Sequence, residues 1–414
     1  LIVKADATAD GLSLLSAEAV RSRAHRILEI GLNDQLLHFR VDLGRLDEAV
    51  DLVLAITRKA YPTFDVPFHS RWRHFVVGGV DRWAALAEAT NWRDGNERAR
   101  AEFELAMISV LLDAGAGPSW RYRDGVTGAR IGRSEGLALA SLDMFARGIF
   151  SADADEPLRA DAAVLQRLTV ADLQAGFQVA DDNPLIGLEG RISLLRRLGE
   201  VASASLQTFA RDDAARPGGL FDHLTGMTEQ GVLGASTILS ELLRQLGPIW
   251  PSRITLGGIP LGDCWRHPAL KTEDATTELV PLHKLSQWLS YSLIEPMQRA
   301  GLQIADVDGL TGLAEYRNGG LFVDAGVLVL RDPIDAQREH DVASPLVVEW
   351  RALTVALLDR LADLLRQRVG LDAVSLPLAK ILEGGTWAAG RAMAFARRPD
   401  GSPPLKVASD GTVF

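Results

Sequence analysis

The 414-residue chain has a single cysteine, Cys264, which rules out an intrachain disulfide and a cysteine-built metal cage and fits a reducing compartment. Its eight histidines show no H-E-x-x-H or comparable spacing, and Asp181-Asp182-Asn183-Pro184 has the character of a helix cap or turn rather than a calcium loop. No metal and no other cofactor is expected. Also missing are a phosphate-binding loop, a G-x-G-x-x-G fingerprint and a G-x-S-x-G elbow, which argues against nucleoside triphosphates, dinucleotide cofactors and a serine hydrolase. No apolar run approaches the roughly 18 residues a membrane helix needs. The opening L-I-V-K-A-D-A-T-A-D, with Lys4, Asp6 and Asp10, has no signal-peptide core. Positive charge is in deficit, with a net charge of -10, so bulk attraction to nucleic acid or anionic membrane is not expected. The expectation is a soluble, cytoplasmic protein whose partner is a small molecule.

What the chain does have is a hydrophobic fraction of 47%, ample for a sizeable core, with Ala and Leu set mostly at helical spacing. Ser16-Ala17-Glu18 opens a first helix, and a second runs from Leu46 to about Tyr61, where Pro62 ends it. Further helices are expected near 96–114, 134–150, 188–206, 232–246, 282–300, 345–369 and 377–398. Strand candidates are few: Ser119 to Ile131 with a turn at Asp124-Gly125, Leu321 to Leu330, and Leu405 to Phe414 with a turn at Asp410-Gly411. The pattern is mainly α with small β additions. A helical N-terminal region, 1–220, and a helical catalytic region, 221–414, are expected to form one compact unit.

Four stretches carry polar chemistry. Asp306 to Leu330 packs Asp306, Asp308, Glu315-Tyr316-Arg317 and Gly319-Gly320 against an apolar run; it reads either as helix caps with a solvated ion pair or as the wall of a site. If Asp308 to Glu315 is one helix, its two carboxylates share a face about 10 Å apart along the axis, close to the roughly 6.5 to 9.5 Å that lets acid and base flank a glycosidic bond. Phe68 to Phe75, F-H-S-R-W-R-H-F, either offers His69, Arg71 and Arg73 to a phosphate or carboxylate, or turns Phe68, Trp72 and Phe75 to the core with the basic residues solvated. Gly257 to His267 is a glycine- and proline-marked loop ending in Asp263, Trp265, Arg266 and His267. Along the helix from Leu282, a stripe of Lys284, Trp288, Tyr291 and Glu295 either meets a sugar phosphate or is buried with Lys284 in a salt bridge.

Over nearly its whole length the sequence resembles the uracil-catabolism protein 4 family, a group associated with the ring-opening route of uracil degradation. The likeness is carried by F-H-S-R-W-R-H-F at Phe68, W-R-Y at Trp120, D-D-N-P-L-I-G-L-E-G-R at Asp181, K-L-S-Q-W-L-S-Y-S-L-I-E-P at Lys284, L-T-G-L-A-E-Y-R-N-G-G-L at Leu310 and S-D-G-T-V-F at Ser409. A more distant resemblance, over the last quarter to third of the chain, is to queuosine-salvage N-glycosylases. Those helical proteins resemble DNA glycosylases and cleave a queuine-ribose 5'-phosphate bond. Asp306 to Arg317 is similar to their D-x-x-x-L-T-M-F-A-D-Y-R, Glu349-Trp350-Arg351-Ala352 to E-I-R-G, and Leu382 to Trp387 to L-D-Y-Y-L-W. Glu315 replaces an aspartate. Gly384-Gly385 replaces a tyrosine pair and is expected to open space where a large base would stack.

The two resemblances together imply a DNA-glycosylase-like helical core and hydrolysis of an N-glycosidic bond, with a ribosylurea 5'-phosphate or a related ring-opened nucleotide giving urea and ribose 5-phosphate. Carboxylate acid and base chemistry then falls to Asp306, Glu315 and Glu383. Substrate contacts fall to Tyr316, Arg317, Arg351, Lys284, Trp288, Trp387, His69, Arg71, Arg73, Asp263 and His267. The alternatives are an amidohydrolase acting on a ring-opened pyrimidine nucleotide and a non-catalytic binder of a pathway intermediate.

Overall fold

In the computed structural model, which describes residues 7–113, 115–211, 214–250 and 253–408, helices dominate and the strands are short pairs. The fold is mainly α. Among the described residues no helix is long and apolar enough to cross a membrane. The segment 409–414, with the Asp410-Gly411 turn and the S-D-G-T-V-F match, lies outside the described residues; Lys406–Ala408 is a strand.

The described chain forms two compact units, each assembled from separated stretches. One takes in 7–69, 253–287 and 306–408, the other 70–250 and 288–305. Neither coincides with the 1–220 and 221–414 regions expected from the sequence, because long-range pairing joins the chain's early and late helices. The Ala17–Leu32 helix is capped by Ser16, whose side chain accepts from the Ala19 N–H, and it buries Val20, Ala24, Ile27 and Leu28. That face packs on the Pro345–Val369 helix, itself capped by Ser344 and closed by Gly370 in the left-handed conformation at φ 70°. The strand Phe39–Val41 pairs antiparallel with Leu328–Leu330. In the second unit, Gly95–Leu111 is buried along nearly its whole length and packs against Arg133–Ala146. Its internal charge is neutralised locally: Arg216 bonds Glu104 at 2.9 Å and Glu97 at 2.6 Å.

Several local expectations are corrected. The run Leu321 to Leu330 is not one strand: Tyr316–Asp324 is a helix and only Leu328–Leu330 is extended. Gly319 lies in that helix because a Cβ there would sit 2.8 Å from Trp350 Nε1 and from Thr354 Oγ1, so only glycine permits this close packing on the Pro345–Val369 helix. Ser119 to Ile131 reduces to a hairpin of Tyr122–Arg123 with Arg130–Ile131. Asp308 to Glu315 is not a helix; a short 3-10 turn, Val307–Gly309, gives way to extended chain. The helix expected over 377–398 is interrupted by a π-turn at Leu382–Thr386 between Leu378–Ile381 and Trp387–Arg397.

Candidate functional site

The extended stretch from Leu310 to Glu315 has few backbone partners, and side chains from elsewhere in the same unit hold it instead. Arg21 donates to the carbonyls of Asp308 at 2.9 Å and Leu310 at 2.7 Å. Gln287 donates to Thr311 Oγ1 at 2.7 Å and accepts from Thr311 N at 3.3 Å. Asn318 reaches the Leu313 carbonyl at 3.4 Å, and Arg351 Nε reaches that of Ala314 at 3.2 Å. A buried irregular segment with this many dedicated partners has its position fixed.

Glu315 ends the segment and begins the next helix. Its carboxylate accepts from Arg317 N at 2.7 Å and Asn318 N at 2.5 Å, so it is the N-cap of Tyr316–Asp324. Burial raises its pKa from the ordinary value, against those two N–H donors and the charges of Lys284 and His69, which lower it; the net movement is upward. The His69 ring pairs with Glu383 at 2.7 Å, and the His69 N–H bonds the Ala379 carbonyl at 2.9 Å. Glu383 sits in the π-turn, a local insertion that is frequent at functional sites. Glu315, Glu383, His69 and Lys284 thus form one cluster.

Exposure sorts the residues expected in the site. Glu315, Tyr316, His69, Lys284, Glu383 and Trp387 are all half-buried. Arg317, Arg351, Asp263 and His267 are buried and bonded to the protein. Arg351 makes a two-pronged pair with Asp263 at 2.8 and 2.9 Å. His267 meets Glu349 at 3.1 Å, while Glu349 also accepts from Phe39 N at 2.7 Å. Arg317 donates to the Gly401 carbonyl at 2.8 Å and lies over the Tyr316 ring. In all four the polar side chain is engaged by other parts of the protein.

Asp306 is corrected more sharply. It is exposed, left-handed at φ 48°, and its side chain makes no capping bond, so it does not join the Glu315 cluster. Asp308 accepts from Leu378 N at 2.6 Å and pairs with Arg366. It lines a separate cavity of about 320 Å³ where Arg21, His25 and Asp359 also pair among themselves. Nor do Gly384 and Gly385 open space. A Cβ on Gly385 would lie 2.5 Å from Thr57 Oγ1 and 2.6 Å from Val53 Cγ1, so the Leu46–Ala60 helix fills the volume.

From Ser70 on the chain belongs to the second unit, and there the Phe68 to Phe75 stretch fits neither reading. Trp72 and Phe75 are buried within a 3-10 turn, but Arg71 is buried too, at 0% exposure. Its guanidinium donates to Ser109 Oγ at 2.6 Å, Asp113 at 2.7 Å and Ser134 Oγ at 3.1 Å, and lies over the Trp288 ring. Arg73 pairs with Glu295 at 2.6 Å. Trp288 and Tyr291 are buried, at 6% and 0% exposure, so the stripe on the Lys284–Arg299 helix is largely core. Gln287 and Thr311, both fully buried, fix the segment before Glu315 and were not among the residues expected in the site. The spacing of Gln287 from Lys284, one turn along the same helix face, was the available signal. Among the described residues no group of three or more His, Cys, Asp or Glu side chains converges as metal ligands would.

Comparison with known proteins places this geometry in a family. Residues 13–414 match the family model described as "Protein of unknown function (DUF1688)". The chain is 40% identical over 413 residues to "Protein urg3" of Schizosaccharomyces pombe (strain 972 / ATCC 24843), covering 97% of this chain and 98% of that one. It is 36% identical over 433 residues to "Uracil catabolism protein 4" of Lachancea kluyveri, covering 96% and 98%. The chain belongs to the uracil catabolism protein 4 family.

Proposed function

We propose that this protein acts in uracil degradation, as the name of its Lachancea kluyveri relative suggests, and that it hydrolyses the N-glycosidic bond of a ribosylurea 5'-phosphate or a closely related ring-opened nucleotide. The observation that carries the reading is the half-buried cluster of Glu315, with its raised pKa, facing Lys284 and the His69–Glu383 pair. Urea is a poor leaving group unless its nitrogen is protonated or firmly hydrogen-bonded. Burial shifts the Glu315 carboxyl toward its protonated form, the form that can supply that proton, and the general acid is therefore assigned to Glu315. Water adds to the ribose C1, the C1–N bond breaks, and its electron pair takes the Glu315 proton. Glu383, oriented by His69, accepts the proton of the attacking water, so the two carboxyls exchange charge state over one turnover. Positive charge developing at C1 and the ring oxygen is stabilised by that carboxylate. Lys284 meets the phosphate, and Tyr316 and Trp387 wall the sugar.

The test is incubation of the protein with ribosylurea 5'-phosphate, with urea and ribose 5-phosphate detected by mass. Release of both at equal rates is the expected outcome. Absence of urea from folded protein at saturating substrate overturns the reading.

A further inference from the structure

Asp263, only 7% exposed, is saturated with hydrogen bonds. Its carboxylate accepts from Arg351 at 2.8 and 2.9 Å, from Trp265 Nε1 at 2.6 Å and from the backbone N of Lys284 at 2.9 Å. Its own carbonyl accepts from Leu282 N at 2.9 Å and His283 N at 3.2 Å. These bonds run in two directions. One set fixes the start of the Lys284–Arg299 helix, where His283 is held left-handed at φ 46°, a conformation that a non-glycine residue keeps only when its surroundings impose it. The other set passes through Arg351, whose Nε bonds the carbonyl of Ala314, the residue before Glu315.

Lys284 and Glu315 therefore hang from the same carboxylate, one by its backbone nitrogen and the other through Arg351. A buried ion pair is a weak source of stability, since its Coulomb attraction is largely offset by the loss of hydration. What such a pair supplies is a fixed geometry, and here it joins three stretches distant in sequence. We infer that Asp263 is a positioning residue that sets the separation between the Lys284 ammonium and the Glu315 carboxyl, without touching substrate itself. Besides burial, the groups acting most strongly on Glu315 are the backbone N–H of Arg317 and of Asn318, the Lys284 ammonium and the His69 ring, with Glu383 beside the last of these. Of these, Lys284 is the one whose backbone Asp263 holds directly. The link to turnover rests on the glycosidase reading above; the link to Glu315's ionisation does not.

The experiment uses the full chain carrying Asp263→Asn together with Arg351→Met, which removes both charges at nearly constant volume and leaves no unpaired ion. Carbon-13 labelling of the glutamate carboxyls, with Glu315 assigned by its loss in Glu315→Gln, follows the Glu315 titration directly and needs no activity. The midpoint is expected to rise, in the direction that Lys284→Met moves it, because the ammonium is no longer held close. With ribosylurea 5'-phosphate, kcat is expected to fall by about tenfold or more while KM changes by less than about threefold, the signature of misplaced reacting groups. An unchanged Glu315 midpoint, with turnover tracking only the melting temperature, overturns the inference. If the double variant does not fold, Arg351→Lys decides through the same two readouts, since it keeps a charge opposite Asp263 and removes the bond to Ala314. A parent protein that releases no urea overturns the glycosidase reading and leaves the titration to decide this one.

Discussion

Glu315→Gln separates chemistry from architecture more cleanly than any other single change in this protein. The side chain has two duties, capping the Tyr316–Asp324 helix through the N–H groups of Arg317 and Asn318, and holding a proton. Glutamine keeps one acceptor oxygen, so the capping loss is at most about 1 kcal/mol, in the range for replaced caps. Against that stands the charge. The folded-state pKa of Glu315 is raised above its unfolded value, so its contribution favours the fold fully below the unfolded carboxylate value of about 4.3 and is lost as pH rises through the raised value. Above the raised value the parent bears the cost of ionising this carboxyl, and the variant does not. The two effects oppose, and in a chain of this length a residual of about 1 kcal/mol moves the melting temperature by no more than about 2 °C. Turnover is expected to fall by roughly 10²- to 10⁴-fold. Urea release measured against pH is the assay. The parent rate should decline on the alkaline side as Glu315 loses its proton, and the residual rate of the variant should lack that limb. A variant that melts with the parent and releases urea at the parent rate across the pH range refutes the assignment.

Lys284→Met removes a charge that lowers the Glu315 pKa, so the alkaline limb of the same pH profile should move to higher pH, with a raised KM if the ammonium meets the phosphate. Gly385→Ala places a Cβ 2.8 Å from the Val53 carbonyl as well as against Thr57, and calorimetry should show a loss of about 1–3 kcal/mol; Gly226→Ala, with nothing within 4 Å of the added atom, should not show it. Arg71→Met leaves Asp113 without its guanidinium partner and should cost about 3–5 kcal/mol in denaturant unfolding, which a solvated anion-binding arginine would not. Asp306→Asn, at an exposed left-handed position that asparagine also tolerates, should leave both melting and urea release at the parent level.

The sequence announces its helices wherever a cap and an apolar face coincide. Ser16 opens Ala17–Leu32, Pro62 follows the end of Leu46–Ala60, and Pro345–Val369 begins and ends where the pattern puts it. It misleads where tertiary packing overrides local preference. Gly319-Gly320 followed by Leu, Phe and Val reads as a turn and a strand. Gly319 is instead what lets a helix lie against Trp350 and Thr354. The aspartate at 308 and the glutamate at 315 look like a helical pair, yet the chain between them is extended and tied down by Arg21, Gln287 and Arg351, partners that no local window contains. Residue types sufficed to gather Glu315, Glu383, His69 and Lys284 as candidates. They could not tell an arginine that meets a ligand from one held by an aspartate or a backbone carbonyl, because Arg71, Arg317 and Arg351 differ from a binding arginine only in what surrounds them.

The interleaving of the two units has a consequence for how the chain is made. Phe39–Val41 finds its strand partner at Leu328–Leu330, and Ala17–Leu32 packs on a helix that begins at Pro345. During synthesis the first helices therefore leave the ribosome with their apolar faces uncovered, and they wait for most of the chain to follow. Residues 70–250, by contrast, contain most of their own unit and have the contacts to collapse early. The expected order is second unit first, with the unit that bears Glu315 closing only after its last helices emerge. That unit accordingly carries the longer loop closures, the slower step and the greater exposure to chaperones and aggregation.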